Sequence, residues 1–210
     1  MAELRQQTDS LGGVLKRNAL AGATVGAGAY VVGYLVAFVF TVIDGVDSSA
    51  FDIPGWKVVG WVFYNAHNVD IVGTGSVGGF SMSKQFSLLA RASGNGADGL
   101  TSTVPAFLYF LVPAVVLIGA GYVAYQRAGE RTVETGQAAA LGATITIGYL
   151  VMAVLGRFLF TYSAGETVST SATPQLTNAV LLAGLIYPLV LGAIGGAIAK
   201  TQGRESARSL

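Results

Sequence analysis

One arginine, one histidine and two aspartates are the side chains with which this chain could do chemistry in an apolar setting. Arg157 stands in LVMAVLGRFLFTY, the one charge inside an otherwise uncharged run. A guanidinium placed there coordinates an anion or gates a passage when it faces protein, with Asp44 or Asp70 as its carboxylate partner. The bland reading is an arginine that snorkels to the nearer headgroups or closes a structural ion pair. His67 is the only histidine, and Asp70 follows three residues on, with Asn65 and Asn68 alongside. An imidazole linked to a carboxylate titrates near neutral pH and would sense protons. The alternative is a polar stripe that hydrogen-bonds a short helix to whatever lies beneath it.

Other chemistry finds little support. A metal centre wants three or four ligands, and one histidine with no cysteine does not supply them, so no metal site is expected. The glycines of GTGSVGGFSMSK, residues 73–84, do not follow the phosphate-loop spacing GxxxxGK[ST]. No Ser/His/Asp set, intramembrane carboxylate pair or cofactor fingerprint is visible, so neither an enzyme nor a cofactor is expected.

The elements that must position these residues follow from composition. Of 210 residues 52% are hydrophobic and 11% charged, against about 25% charged in soluble domains, and mean hydropathy is +0.60. That is a membrane protein. A net charge of +1 leaves no field for nucleic acid. The lipid bilayer is the first partner; a homo-oligomer or another membrane protein are the remaining partner classes.

Uncharged or nearly uncharged runs at about 19–43, 104–126, 137–162 and 176–199 are each long enough for a hydrocarbon core of ~30 Å, which takes about 20 residues. Thr103 and Pro105 suit the start of the second. The first is too long for a signal peptide's apolar region and is read as a retained anchor. The expected fold is all-α: one four-span membrane domain over 19–199, a polar arm 1–18, an outer loop 44–103 and a tail 200–210. Arg5, Lys16, Arg17, Arg127, Arg131, Lys200, Arg204 and Arg208 fall on one side. Lys57, Lys84 and Arg91, on the other, are remote from span ends. The positive-inside rule then puts both termini in the cytoplasm, in a multi-pass protein of the cell membrane.

The first and third runs align without a gap, pairing Gly22 with Gly142, Thr24 with Thr144, Gly28 with Gly148 and Thr41 with Thr161. The second and fourth share Pro113/Pro188 and Gly121/Gly196. The chain therefore reads as two parallel hairpin repeats about a pseudo-twofold along the membrane normal, with Arg157 answering Ala37 in the other copy. Gly22, Gly26 and Gly33, with Ala29 and Ala37, and likewise Gly192 and Gly196, form small-residue stripes that let helices approach closely. Pro113 and Pro188 each remove a backbone donor and kink their helices. Thr144, Thr146 and Tyr149 add hydroxyls to the third run.

In the outer loop, Asp52 followed by Ile53-Pro54 reads as a helix start. WKVVGWVFYNAHNVDIV, residues 56–72, is then a short amphipathic helix, interfacial or re-entrant, with aromatics suited to the headgroup level. Residues 73–84 read as a flexible connection and 85–92 as one or two helical turns, ended by Gly94-Asn95-Gly96.

GWVFYNAHNVD at 60–70 and AGLIYPLVLGAIGG at 183–196 resemble a family of small four-span membrane proteins widespread in haloarchaea, uncharacterised in activity and at times labelled transporters. The resemblance runs from the first span to the last and implies a haloarchaeal cytoplasmic membrane. Two function classes stand: a transporter or channel component for a small solute or ion, or a non-transporting structural or accessory protein whose outer loop binds a protein or lipid.

Overall fold

Apolar runs of this length fold as helices because lipid offers the backbone no hydrogen-bond partner but itself. Four such helices dominate the computed structural model, which describes residues 11–45, 53–89, 103–129, 134–165 and 168–208. The first span, α1 (Leu11–Ile43), begins ahead of the expected start and takes in Lys16 and Arg17. The helix start at Asp52, the turn at Gly94-Asn95-Gly96 and the basic residues Arg5, Arg91 and Arg131 lie outside the described residues.

A second helix, α2 (Gly55–Ala66), precedes the second span, α3 (Ala106–Ala128), which holds Pro113 and closes on Gly129 at φ 68°. The third span is two helices, α4 (Thr135–Ala143) and α5 (Ile145–Leu159), broken at Thr144, whose hydroxyl donates to the Leu141 carbonyl at 2.6 Å. A reciprocal capping box between Glu134 and Gln137 opens α4 and satisfies amides that would otherwise be orphaned. The fourth span starts as α6 (Leu176–Asn178), widens into a π-helical segment (Ala179–Ile186) and continues as α7 (Tyr187–Arg208). Pro188 explains the widening: it has no N–H to give and its ring needs room on the preceding turn, and the Tyr187 N–H reaches back five residues to the Leu182 carbonyl.

The all-α expectation is corrected. Residues 73–84, read as a flexible connection, belong to a four-stranded antiparallel sheet ordered β2-β1-β4-β3. β1 (Ile71–Val77) and β2 (Phe80–Phe86) form a hairpin across Gly78 and Gly79, both at positive φ (56° and 85°). Such a two-residue turn matches the twist of the strands it joins. β3 (Tyr162–Ala164) and β4 (Val168–Pro174) come from the connection between spans three and four. β1 pairs with β4 from Ile71↔Pro174 to Val77↔Val168, so the sheet ties the connection between spans one and two to that between spans three and four. Of the helical turns expected over 85–92, Gln85 and Phe86 are in β2, Leu88 and Leu89 are helical, and residues 90–92 lie outside the described residues.

Spans neighbour one another in the order first, second, fourth, third and back to the first. Spans one and three run in the same direction, so like-directed helices stand side by side. A twofold along the membrane normal exchanges opposite members of such a ring, which here run in opposite directions. This neighbour order does not fit the expected pseudo-twofold along the membrane normal.

Glycine sets how close the spans come. A Cβ on Gly22 would collide with Thr144, on Gly26 with the Ile145 carbonyl, and on Gly148 with the Ala23 carbonyl. At the opposite end from the sheet, Gly121 and Gly142 abut Gly192, and Gly196 abuts Ala138. Gly33 has a different neighbour: its absent side chain leaves room for the Phe63 ring of α2.

Candidate functional site: the buried end of α2

Every residue of α2 from Val58 to Ala66 is buried. A helix apolar on all sides belongs inside a protein rather than on its surface, and α2 is inserted into the bundle, not laid over it. Its contacts run down the third span in order. The Lys57 ammonium donates to the Thr161 carbonyl at 2.5 Å, the Trp61 indole to the Phe160 carbonyl at 2.8 Å, and the Tyr64 hydroxyl to the Ala153 carbonyl. His67, the residue that ends α2, then meets Tyr149. From Thr161 to Tyr149 is roughly 18 Å of helix at 1.5 Å per residue, about half of a ~30 Å hydrocarbon core. α2 is thus packed within the helical bundle along half of the third span.

Buried within the bundle, the helix end must satisfy its own carbonyls. The Tyr64 carbonyl accepts the amides of His67 (2.9 Å) and Val69 (3.0 Å), and the Asn65 carbonyl accepts that of Asn68 (2.9 Å). Asn68 makes the reversal at φ 57°, a left-handed conformation that asparagine tolerates better than most residues. Asn65, itself buried, donates to the Val69 carbonyl and accepts from the Leu88 amide, both at 2.8 Å. The Asn68 amide donates to the Tyr187 hydroxyl at 2.5 Å, just where the π-helical segment of span four ends.

His67 is fully enclosed. Its Nδ1 lies 2.8 Å from the Phe63 carbonyl, which can only accept, so Nδ1 carries the proton. Nε2 is then left as an acceptor for the Tyr149 hydroxyl, 2.7 Å away. Burial pushes the imidazole down to about 4, with the Phe63 carbonyl pulling weakly the other way. Burial likewise holds the Tyr64 phenol above the usual tyrosine range. Around this pair the rings of Phe63, Tyr149 and Tyr187 stand 4.8, 5.8 and 5.5 Å from the imidazole. Tyr30 of the first span packs edge-on to both Phe63 and Tyr149. Chemically this is a neutral hydrogen-bonded cluster closed in by aromatics, with no carboxylate among His67's contacts to the described residues.

The other predicted residues lie elsewhere. The backbone carbonyl of Asp70 accepts from the Gln175 amide (2.9 Å) at the root of the sheet, beyond the end of α2 and not on one helical face with His67. Asp44 takes the Val104 amide at 2.7 Å and the Tyr109 hydroxyl at 2.6 Å, fastening the end of span one to the start of span two. Arg157 is half-buried, donates from Nε to the Pro174 carbonyl at 3.3 Å and lies 4.9 Å over the Phe158 ring. The structure thus does not assemble Arg157, Asp44, His67 and Asp70 into one site. The partners that sequence reasoning missed are Tyr149 and Tyr187: a hydroxyl inside a span was visible, but not which helix would come down to meet it.

A model for a family of unknown function, DUF7978, matches residues 1–203, and the chain belongs to that family. No curated protein and no solved structure matches it.

Proposed function

We propose that this member of DUF7978 is a non-enzymatic multi-pass protein of the cytoplasmic membrane that conducts or carries a small solute or ion, seen here closed, with α2 as its plug. The observation that carries the reading is that α2 is buried inside the bundle and ends on the His67–Tyr149 contact, which we read as a re-entrant helix reaching mid-depth. Non-spanning backbone at membrane depth is tolerated where protein buries it or a cavity receives it, and transporters place broken helices at that level. The π-helical segment and Pro188 lie beside the Asn68–Tyr187 contact, and π-turns recur at functional positions in helices. Lys16, Arg17, Arg127 and Lys200 lie toward the end of the bundle away from the sheet, which favours cytoplasmic termini and an external sheet. The aligned pairs Gly22/Gly142 and Pro113/Pro188 favour an origin by duplication of a helical hairpin.

Uptake of potassium chloride and of glycerol into proteoliposomes tests the reading. Wild type should be tight or slow, His67→Ala should raise the flux by unseating α2, and Arg157→Ala should alter it less. Absence of flux in all three, with the folded protein recovered from the vesicles, would refute it.

The second reading, an accessory protein with a displayed external surface, is favoured by the sheet, whose β2 strand is exposed from Phe80 to Gln85. The same flux measurement separates the two.

A further inference from the structure

We propose that β2 is an interface through which two copies of this chain join by antiparallel strand pairing centred on Ser83. The two edges of the sheet are unlike. β3 has three residues, the short strand with which proteins blunt an edge. β2 has seven, all paired with β1 on one side, and from Phe80 to Gln85 no strand pairs with it on the other among the described residues.

The hydrogen-bond phase of the sheet shows which groups face outward. In a hairpin with a two-residue turn the flanking residues, here Val77 and Phe80, exchange both backbone bonds, and such pairs recur at every second residue. Phe80, Met82, Lys84 and Phe86 therefore point their backbone groups at β1. The far side of β1 confirms this phase: the Gln175 amide donates to the Asp70 carbonyl, which puts the even-numbered residues of β1 toward β4. The amides and carbonyls of Ser81, Ser83 and Gln85 consequently point away from the sheet.

Those three residues are self-complementary. With Ser83 opposite Ser83 of the second copy, Ser81 falls opposite Gln85 and Gln85 opposite Ser81. All three are in the hydrogen-bonded phase, giving about six backbone bonds. The side chains fit as well. Phe80, 82% exposed, comes to lie opposite Phe86 of the second copy, and Met82, also 82% exposed, opposite Lys84. The two lysines avoid each other, and the thioether covers a lysine stem. On the other face only Ser81, Ser83 and Gln85 meet. The pair is isologous, with its twofold perpendicular to the sheet.

The chain has no cysteine, so single replacements report the register directly. Residues opposed in a hydrogen-bonded pair have Cα atoms about 5.5 Å apart, within disulfide reach. Under mild oxidation in membranes, Ser83→Cys should convert most of the chain to a covalent dimer. Ser81→Cys alone should yield at least several-fold less, and Ser81→Cys with Gln85→Cys should restore it. Ser83→Pro removes one outward amide and leaves the β1 ladder whole, as edge strands allow; it should give a folded monomer. Failure of Ser83→Cys to cross-link, equal cross-linking of Ser81→Cys, or an undiminished dimer with Ser83→Pro would each overturn the proposal.

Discussion

His67 is held neutral by its surroundings, and that ties stability to pH. In the unfolded chain it takes a proton near 6.5; in the folded protein it does so only near 4. The unfolded state therefore binds more protons between those values. Stability is complete above about pH 6.5 and falls as the pH drops toward 4, by on the order of 3 kcal/mol in all. Thermal unfolding in detergent micelles between pH 6.5 and 5, compared with a variant lacking the one histidine, reads this contribution. Wild type should lose melting temperature steadily there, and His67→Gln should be flat. Tyr149→Phe makes a related test. It leaves the Nε2 lone pair buried without a donor, at a cost of about 1–3 kcal/mol. Adding Tyr149→Phe to His67→Phe should cost less than adding it to wild type, because the acceptor is already gone.

At the scale of elements, the glycines divide by what they touch. Gly28 and Gly148 occupy equivalent places in the two aligned spans, yet a Cβ at Gly28 meets nothing within 4 Å and one at Gly148 meets the Ala23 backbone. Gly28→Val should change stability by less than about 0.5 kcal/mol, as surface positions do. Gly148→Val should cost about 3 kcal/mol or more, since backbone cannot step aside. Denaturant titration of the two variants in the same micelle decides it. This pair also shows what the sequence could and could not tell. The four spans were legible because an uncharged run is a one-dimensional property. The face each glycine turns to a neighbour was not, because two identical residues in repeated strings sit in different surroundings. The sheet has its own signal in the sequence: Val77-Gly78-Gly79-Phe80 is a two-residue hairpin turn, and the serine-threonine alternation of β4 suits a strand with one wet face. Composition alone suggested a flexible linker. The site suffered in a similar way. His67 and Asp70 stand three apart, which is one face only if the helix continues, and it stops at Ala66. Tyr149, 82 residues away in sequence, carried no mark as the partner.

For the whole molecule, α2 is what turns four spans into a closed body. Its rings fill the space between spans one and three where Gly33 and Gly156 make way for Phe63, Tyr30 and Tyr64. Asp44 holds the sheet-side ends of spans one and two together, and the β1–β4 pairing binds the connection that bears α2 to the one between spans three and four. Withdrawal of α2 would break the His67–Tyr149 and Asn68–Tyr187 contacts together, so these two should act as one latch. The most direct test of the inserted helix is labelling by a membrane-impermeant maleimide in sealed vesicles, using the natural lack of cysteine. Trp56→Cys, at the start of α2 and 42% exposed, should label from the sheet side. Ala66→Cys, at its buried end, should label from neither side until the protein is denatured. Labelling of Ala66→Cys as fast as Trp56→Cys in the folded protein would place α2 on the surface and contradict the account.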